Sequence, residues 1–331
     1  MDWGFIFQQT LTALFTPLAL FYILGAQGLN IHFGYTGLLN FGQAGFMAAG
    51  AYGTAISYTN WGWPLWAAIL FGVLAAVVLG LILGLPTLRL RGDYLAIVTI
   101  AASEIIRLTV RSEAVESVTG GNSGINEFAN GFYDANIFSN SGRYVLGPLS
   151  FRGQELWVML WGWLLVGFFA LLTYLLMRSP WGRVLKSVRE NEDAVRSLGK
   201  NVYAYKMQSL ILGGVMGACG GIILALAKNF AGPDDFATKA TFIAYTALIL
   251  GGAATTFGPV IGGMMFWSIF TFVAETADQA AKANIIPNSV MTDVQAGVIP
   301  FIFLGIALMV LMVFRPQGIF GDRKELEVDV R

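Results

Sequence analysis

The stretch RSPWGRVLKSVRENEDAVRSLGKNVYAYK, residues 178–206, stands between two long apolar runs and decides how the rest of the chain is read. It carries seven of the 20 Lys and Arg residues. In hydrocarbon a central Arg, Lys or Asp costs ~2.5–3.5 kcal/mol, so this stretch is a connector outside the bilayer. It still keeps a helical apolar period in Val184, Val188, Val195 and Leu198, which are expected to share a buried face. Gly199 follows as a helix stop. An amphipathic connector of this kind has the form of a docking element for a soluble partner.

Outward from the connector, the composition is that of a membrane protein. The 331 residues are 56% hydrophobic and 12% charged, with mean hydropathy +0.65, against about 25% charged for soluble domains. Net charge is zero, which gives no electrostatic footprint for nucleic acid. The single cysteine, Cys219, excludes an internal disulfide and is expected to be a small packed residue. The N-terminal MDWGFIFQQTLTALF has no basic n-region, so its apolar run is expected to stay in the mature protein.

Apolar runs divided at polar and Pro/Gly breaks predict an all-α bundle of about nine spans, some broken or re-entrant. They lie at roughly 9–30, 36–58, 64–86, 93–110, 156–177, 207–227, 237–252, 258–277 and 296–314. The whole chain, 1–331, reads as one transmembrane domain. Arg89, Arg91, the connector and the tail 315–331 put thirteen basic residues on one side, and six fall on the other. The richer side is cytoplasmic by the positive-inside rule, which sets the N-terminus outside and the C-terminus inside. Trp61, Trp63 and Trp66 mark an outer aromatic belt. The external segment 111–155 is rich in Gly, Asn and Ser and reads as a linker, with a lid or docking surface as the sharper alternative.

Chemistry-bearing patterns are sparse. There is one histidine, His32, and no HExxH, CxxC, GxSxG or GxxxxGK[ST], so catalysis and direct ATP binding are not expected. Glycines four apart (Gly80/Gly84, Gly213/Gly217/Gly221, Gly258/Gly262) predict close helix packing. The stretch 34–52 holds Tyr35, Thr36, Asn40 and Gln43 at membrane depth among five glycines. A helix interrupted there marks either a polar transport route or a packed helix start. Glu104 and Arg107, three apart on one span, form either a structural pair or part of a pathway.

Taken together, LNIHFGYTGLLNFGQAGFMAAGAY, LRLRGDYLAIVTIAASEIIRL, the connector, GGAATTFGPVIGG and RPQGIFG are similar, in order, to the larger membrane permease subunit of branched-chain amino acid ABC importers (LivM type). The resemblance implies a helical permease in the bacterial inner membrane. Its implied partners are a second homologous permease subunit, two cytoplasmic ATPases that hold the ATP, an external amino-acid-binding protein and membrane lipid. It also implies that the connector is the ATPase-coupling loop. The importer pattern E-A-A-x-x-x-G stands here as Asp193, Ala194, Val195 and Gly199, with Glu192 and Arg196 as ion-pair contacts to the ATPase. Relatives of this shape also carry urea or short amides. The rival class is a self-sufficient secondary transporter, which would need ionisable residues deep in several spans beyond Glu104 and Arg107.

Overall fold

The computed structural model describes residues 2–90, 92–140, 142–147, 149–282, 297–314 and 318–321. Arg91 and most of the tail 315–331, basic residues included, lie outside the described residues. Helices fall where the nine spans are expected. They are the pair α1 (Trp3–Ala13) and α2 (Pro17–Leu29), then α3 (Gln43–Thr59), α4 (Leu65–Thr87), α5 (Gly92–Arg111), α8 (Gly153–Arg178), α11 (Val202–Lys228), α12 (Thr238–Gly251), α13 (Gly258–Lys282) and α14 (Ile299–Phe314). Short helices α6 (Glu116–Thr119) and α7 (Asn130–Asp134) lie in the segment 111–155, and α9 (Pro180–Glu190) and α10 (Glu192–Ser197) in the connector. Among the described residues α4, α8, α11 and α13 are long and apolar enough to cross a membrane alone. The bent pair Trp3–Ala13 and Pro17–Tyr35 meets the same criteria together, as a broken span or a re-entrant loop.

The first expected span, 9–30, is two helices that meet at 42°. Pro17 causes this, because it opens a helix readily but cannot donate inside one, and Thr16 caps the new start through Ala19 N. The run 36–58 is also broken. Residues 37–42 are not helical, and α3 begins only at Gln43. At membrane depth such backbone survives only when its polar groups are paired within the protein. Leu38 N donates to His32 O at 2.8 Å, Phe41 N to Thr99 Oγ1 at 3.0 Å and Gly42 N to Asn40 Oδ1 at 2.9 Å.

Antiparallel α2 and α11 form the core of the bundle, and both are apolar around most of their circumference. Glycine sets the separation of α11 from α2 and from α3. A side chain at Gly28 would fall on the Gly213 carbonyl, one at Gly217 on the Gln43 amide and one at Gly221 on the Met47 carbonyl. α4 shows the same logic as a stripe. Ala68, Gly72, Ala76, Gly80 and Gly84 are buried four apart, while Leu70, Leu74, Val78, Ile82 and Leu85 point outward, the pattern of a lipid-facing helix with a small-residue seam.

The segment 111–155, which reads as a linker in sequence, is packed as a cap. Phe128 is fully buried, and the Tyr133 hydroxyl donates to Leu226 O at 2.7 Å. Burial, with the Glu155 charge adding to it, pushes that phenol up to about 12, so it remains a neutral donor. Ile125–Asn126 pairs antiparallel with Phe230–Ala231 just beyond α11. Asn229, at φ +49°, accepts from Ala129 N at 2.6 Å. Turn-forming composition here builds a staple, because the chain between the turns buries Phe128, Phe132 and Tyr133.

Candidate functional site

The connector is built as two short helices with a hinge. Ser179 and Pro180 end α8 and start α9, and Asn191 in extended conformation separates α9 from α10. Asn191 Oδ1 then accepts from Ala194 N at 3.0 Å, capping α10. Gly199 lies at φ +75°, a left-handed position that costs other L residues ~1–2 kcal/mol. Val188, Val195 and Val202 are buried together, with Val184 beside them.

Leu198 departs from expectation, because it is 80% exposed. The hinge at Asn191 resets the helical phase, and Leu198 already sits at the C-cap of α10, so the period read across 184–198 does not continue to it. Glu192 and Arg196, expected to meet a partner, pair within the connector. Arg196 Nη2 reaches Glu192 Oε1 at 2.8 Å and Nη1 reaches Asp193 Oδ1 at 3.1 Å. Lys206 of α11 also bonds Glu192, fastening α10 to the membrane helix. Exposed pairs of this type contribute ~0–1 kcal/mol each. Asp193 remains 89% exposed in its side chain.

Behind the connector lies a buried polar hub made of the other expected residues. His32, Asn40 and Gln43 are fully buried, and Tyr35 and Thr36 are 2% exposed. Asn40 Nδ2 donates to His32 Nδ1 at 3.1 Å, and His32 Nε2 faces Leu210 O at 3.0 Å, which requires the Nε2–H tautomer. Gln43 Nε2 donates to Gly213 O at 2.9 Å. Thr36 Oγ1 donates to Ile31 O at 2.8 Å and shares a hydrogen bond with Ser209 Oγ at 2.6 Å. The Tyr245 hydroxyl donates to Asn40 O at 2.9 Å. Here Tyr35, Asn40 and Gln43 pack the bundle together, whereas Thr36 also lines a cavity of about 350 Å³ bounded by Arg189, Glu192 and Lys206 of the connector side.

This hub makes a prediction. Asn40→Leu would orphan Gly42 N, His32 Nδ1 and one Gln43 acceptor bond, each unmade buried bond costing ~1–3 kcal/mol. The purified variant is expected to lose its monodisperse size-exclusion peak at a lower temperature than the parent. An unchanged midpoint would show that the hub does not hold the bundle.

Two ties were not read from the sequence. Arg189 Nη1 donates to Gly34 O at 2.6 Å and its stem lies over Gly37, which sits at φ +73°. The Lys186 ammonium lies 5.8 Å from the centre of the Tyr35 ring. Their partners are a carbonyl and a ring face, which no spacing rule signals. Asn30 similarly clamps the turn between α12 and α13, donating to Thr255 O at 2.8 Å and accepting from Ala254 N at 2.8 Å.

Glu104 and Arg107 form a bidentate pair with both Nε–O distances at 3.0 Å. Arg107 and Arg111 each reach Asp234 Oδ1 at 3.4 Å, and Thr238 reaches Glu104 Oε2 at 3.4 Å. The pair thus belongs to a network at the end of the bundle opposite the connector, tying α5 to the 3₁₀ turn Pro233–Phe236 and to the start of α12. Among the described residues no three His, Cys, Asp or Glu side chains converge as a metal site.

The family model described as "Branched-chain amino acid transport system / permease component" matches residues 11–313. The chain belongs to this family. The permease is 28% identical to the high-affinity branched-chain amino acid transport system permease protein LivM of Salmonella typhimurium, covering 96% of this chain and 71% of that one. It is 26% identical to the probable branched-chain amino acid transport permease protein LivM of Methanocaldococcus jannaschii, over 92% and 91%. The nucleoside ABC transporter permease protein NupC of Lactococcus lactis subsp. cremoris is 29% identical, over 86% and 85%. The permease is thus a multi-pass membrane protein of ABC transporters.

Proposed function

We propose that the permease forms half of the translocation path of an ATP-driven importer of branched-chain amino acids in the bacterial inner membrane. A second homologous permease subunit completes the path, two cytoplasmic ATPases grip the connectors, and an external binding protein delivers cargo. The connector and C-terminus are cytoplasmic and the N-terminus is outside.

The observation that carries this reading is the connector itself. Its inner edge is fixed to the bundle by valines and by Lys206, while its outer edge presents Asp193, Arg196 and Leu198 to the surroundings. Leu198 gives that edge an apolar anchor for a partner cleft, the kind of contact that interfaces bury at their centre. Packed elements switch between discrete arrangements rather than bending smoothly, so a gripped connector passes on rigid-body motion.

Copurification in mild detergent with a nucleotide-hydrolysing subunit, followed by reconstitution, tests the reading. ATP-dependent leucine uptake is expected, with nucleosides as the competing cargo. Uptake of nucleosides and not of leucine would overturn the cargo assignment. Asp193→Lys and Gly199→Val are each expected to reduce uptake about tenfold, equivalent to ~1.4 kcal/mol of coupling, with membrane insertion unchanged. Since nothing lies within 4 Å of a side chain built at Gly199, that effect would come from backbone strain. Parental uptake in both variants would refute docking at this loop.

A further inference from the structure

A second site lies at the opposite end of the bundle from the connector. A cavity of about 250 Å³ opens there between α2, the turn Pro233–Phe236, α12, α13 and α14. One wall is aromatic. Tyr22 stacks on Trp267 at 5.3 Å, Trp267 on Phe270 at 5.1 Å, and Phe301 meets Phe270 edge-on at 5.0 Å. The other wall is charged, with Asp234, Asp235 and Lys239, and Asp234 is already held by Arg107 and Arg111.

The polar groups there have capacity to spare. Lys228 takes only Oδ1 of Asp235, at 2.5 Å, which leaves Oδ2. Among the described residues Lys239 has no carboxylate partner, and its ammonium rests 3.6 Å from the centre of the Phe301 ring. At an exposed site that contact is weak enough to be exchanged for an anion. Tyr22 is 91% buried by its 9% exposure, lines the cavity, and its hydroxyl has no hydrogen-bond partner among the described residues. An unpaired hydroxyl on a residue that lines the cavity is able to bond a polar ligand group.

We infer that this cavity receives one zwitterionic aliphatic amino acid at the outer mouth of the permease. Asp235 takes the ammonium, Lys239 and the Tyr22 hydroxyl take the carboxylate, and the aliphatic side chain lies on Trp267 and Phe270. The inference rests on amino-acid cargo, and its test separates the two.

The assembled transporter in lipid nanodiscs, without binding protein or ATP, is titrated with radiolabelled leucine while tryptophan emission is followed. The parent is expected to bind leucine saturably with a change in emission. Trp267→Phe should abolish the emission change while keeping radiolabel binding within about threefold. Lys239→Gln and Asp235→Asn should each weaken leucine binding at least tenfold. Isopentylamine, which lacks the carboxylate, should bind parent and Lys239→Gln alike. Lys239 is exposed, so its variant keeps the test readable should Asp235→Asn fold poorly.

Absence of leucine binding, or equal affinity in parent and both charge variants, overturns the site. The same preparations are then assayed for ATP-driven leucine uptake. Uptake without binding removes this site and leaves the cargo standing. Binding without uptake, once the binding protein and ATP are supplied, supports the site and removes the cargo.

Discussion

Arg189→Ala is expected to uncouple the transporter, with ATP hydrolysis by the assembled complex retained and leucine uptake lost. The guanidinium bridges connector and membrane. It holds the Gly34 carbonyl where the α2 segment ends and covers Gly37, where the chain turns into the non-helical stretch 37–42. Hydrogen bonds to charged groups contribute ~1.5–3 kcal/mol, enough to decide whether the broken segment follows the connector or stays behind. Uptake per ATP hydrolysed should therefore fall about tenfold or more, since each ~1.4 kcal/mol is a factor of ten. Arg189→Lys retains a donor and should recover part of the ratio. A ratio unchanged in Arg189→Ala would show that motion reaches the membrane elsewhere, through Lys206 and Glu192.

Gly221→Val is expected to abolish assembled protein altogether. A side chain there falls on the carbonyl, carbon and α-carbon of Met47, which are backbone atoms that no rotamer change can move aside. Overpacking a tight core costs ~1–3 kcal/mol and occasionally more, and here two neighbouring helices would have to separate along their length. Gly167 on α8 is the matched control, because nothing lies within 4 Å of its missing side chain. Gly167→Val should give parental amounts of monodisperse protein after detergent extraction. If Gly221→Val did the same, the glycine seam would not set the helix spacing.

Both predictions show where sequence reading holds and where it stops. Glycines four apart reported helix contact correctly, since spacing on one helix is a local property that the chain displays directly. The polar break before α3 and the left-handed turn at Gly199 were legible for the same reason. Leu198 was misplaced because a periodic pattern cannot show that Asn191 restarts the helix. Arg189 was passed over because its partner is a main-chain carbonyl 155 residues away. The packing of segment 111–155 is not legible in sequence, because turn-forming residues signal only a change of direction and do not show that the aromatic side chains between them form a core.

The length of α11 has a mechanical consequence. At ~1.5 Å per residue its 27 residues make a rod about 40 Å long that traverses the whole bundle. Its N-terminal end is bolted to the connector at Glu192, and its C-terminal end is riveted to the cap through Asn229 and Tyr133. In the proposed transporter, a tilt imposed at the connector tip would be carried along this rod to the cap without crossing a loose joint.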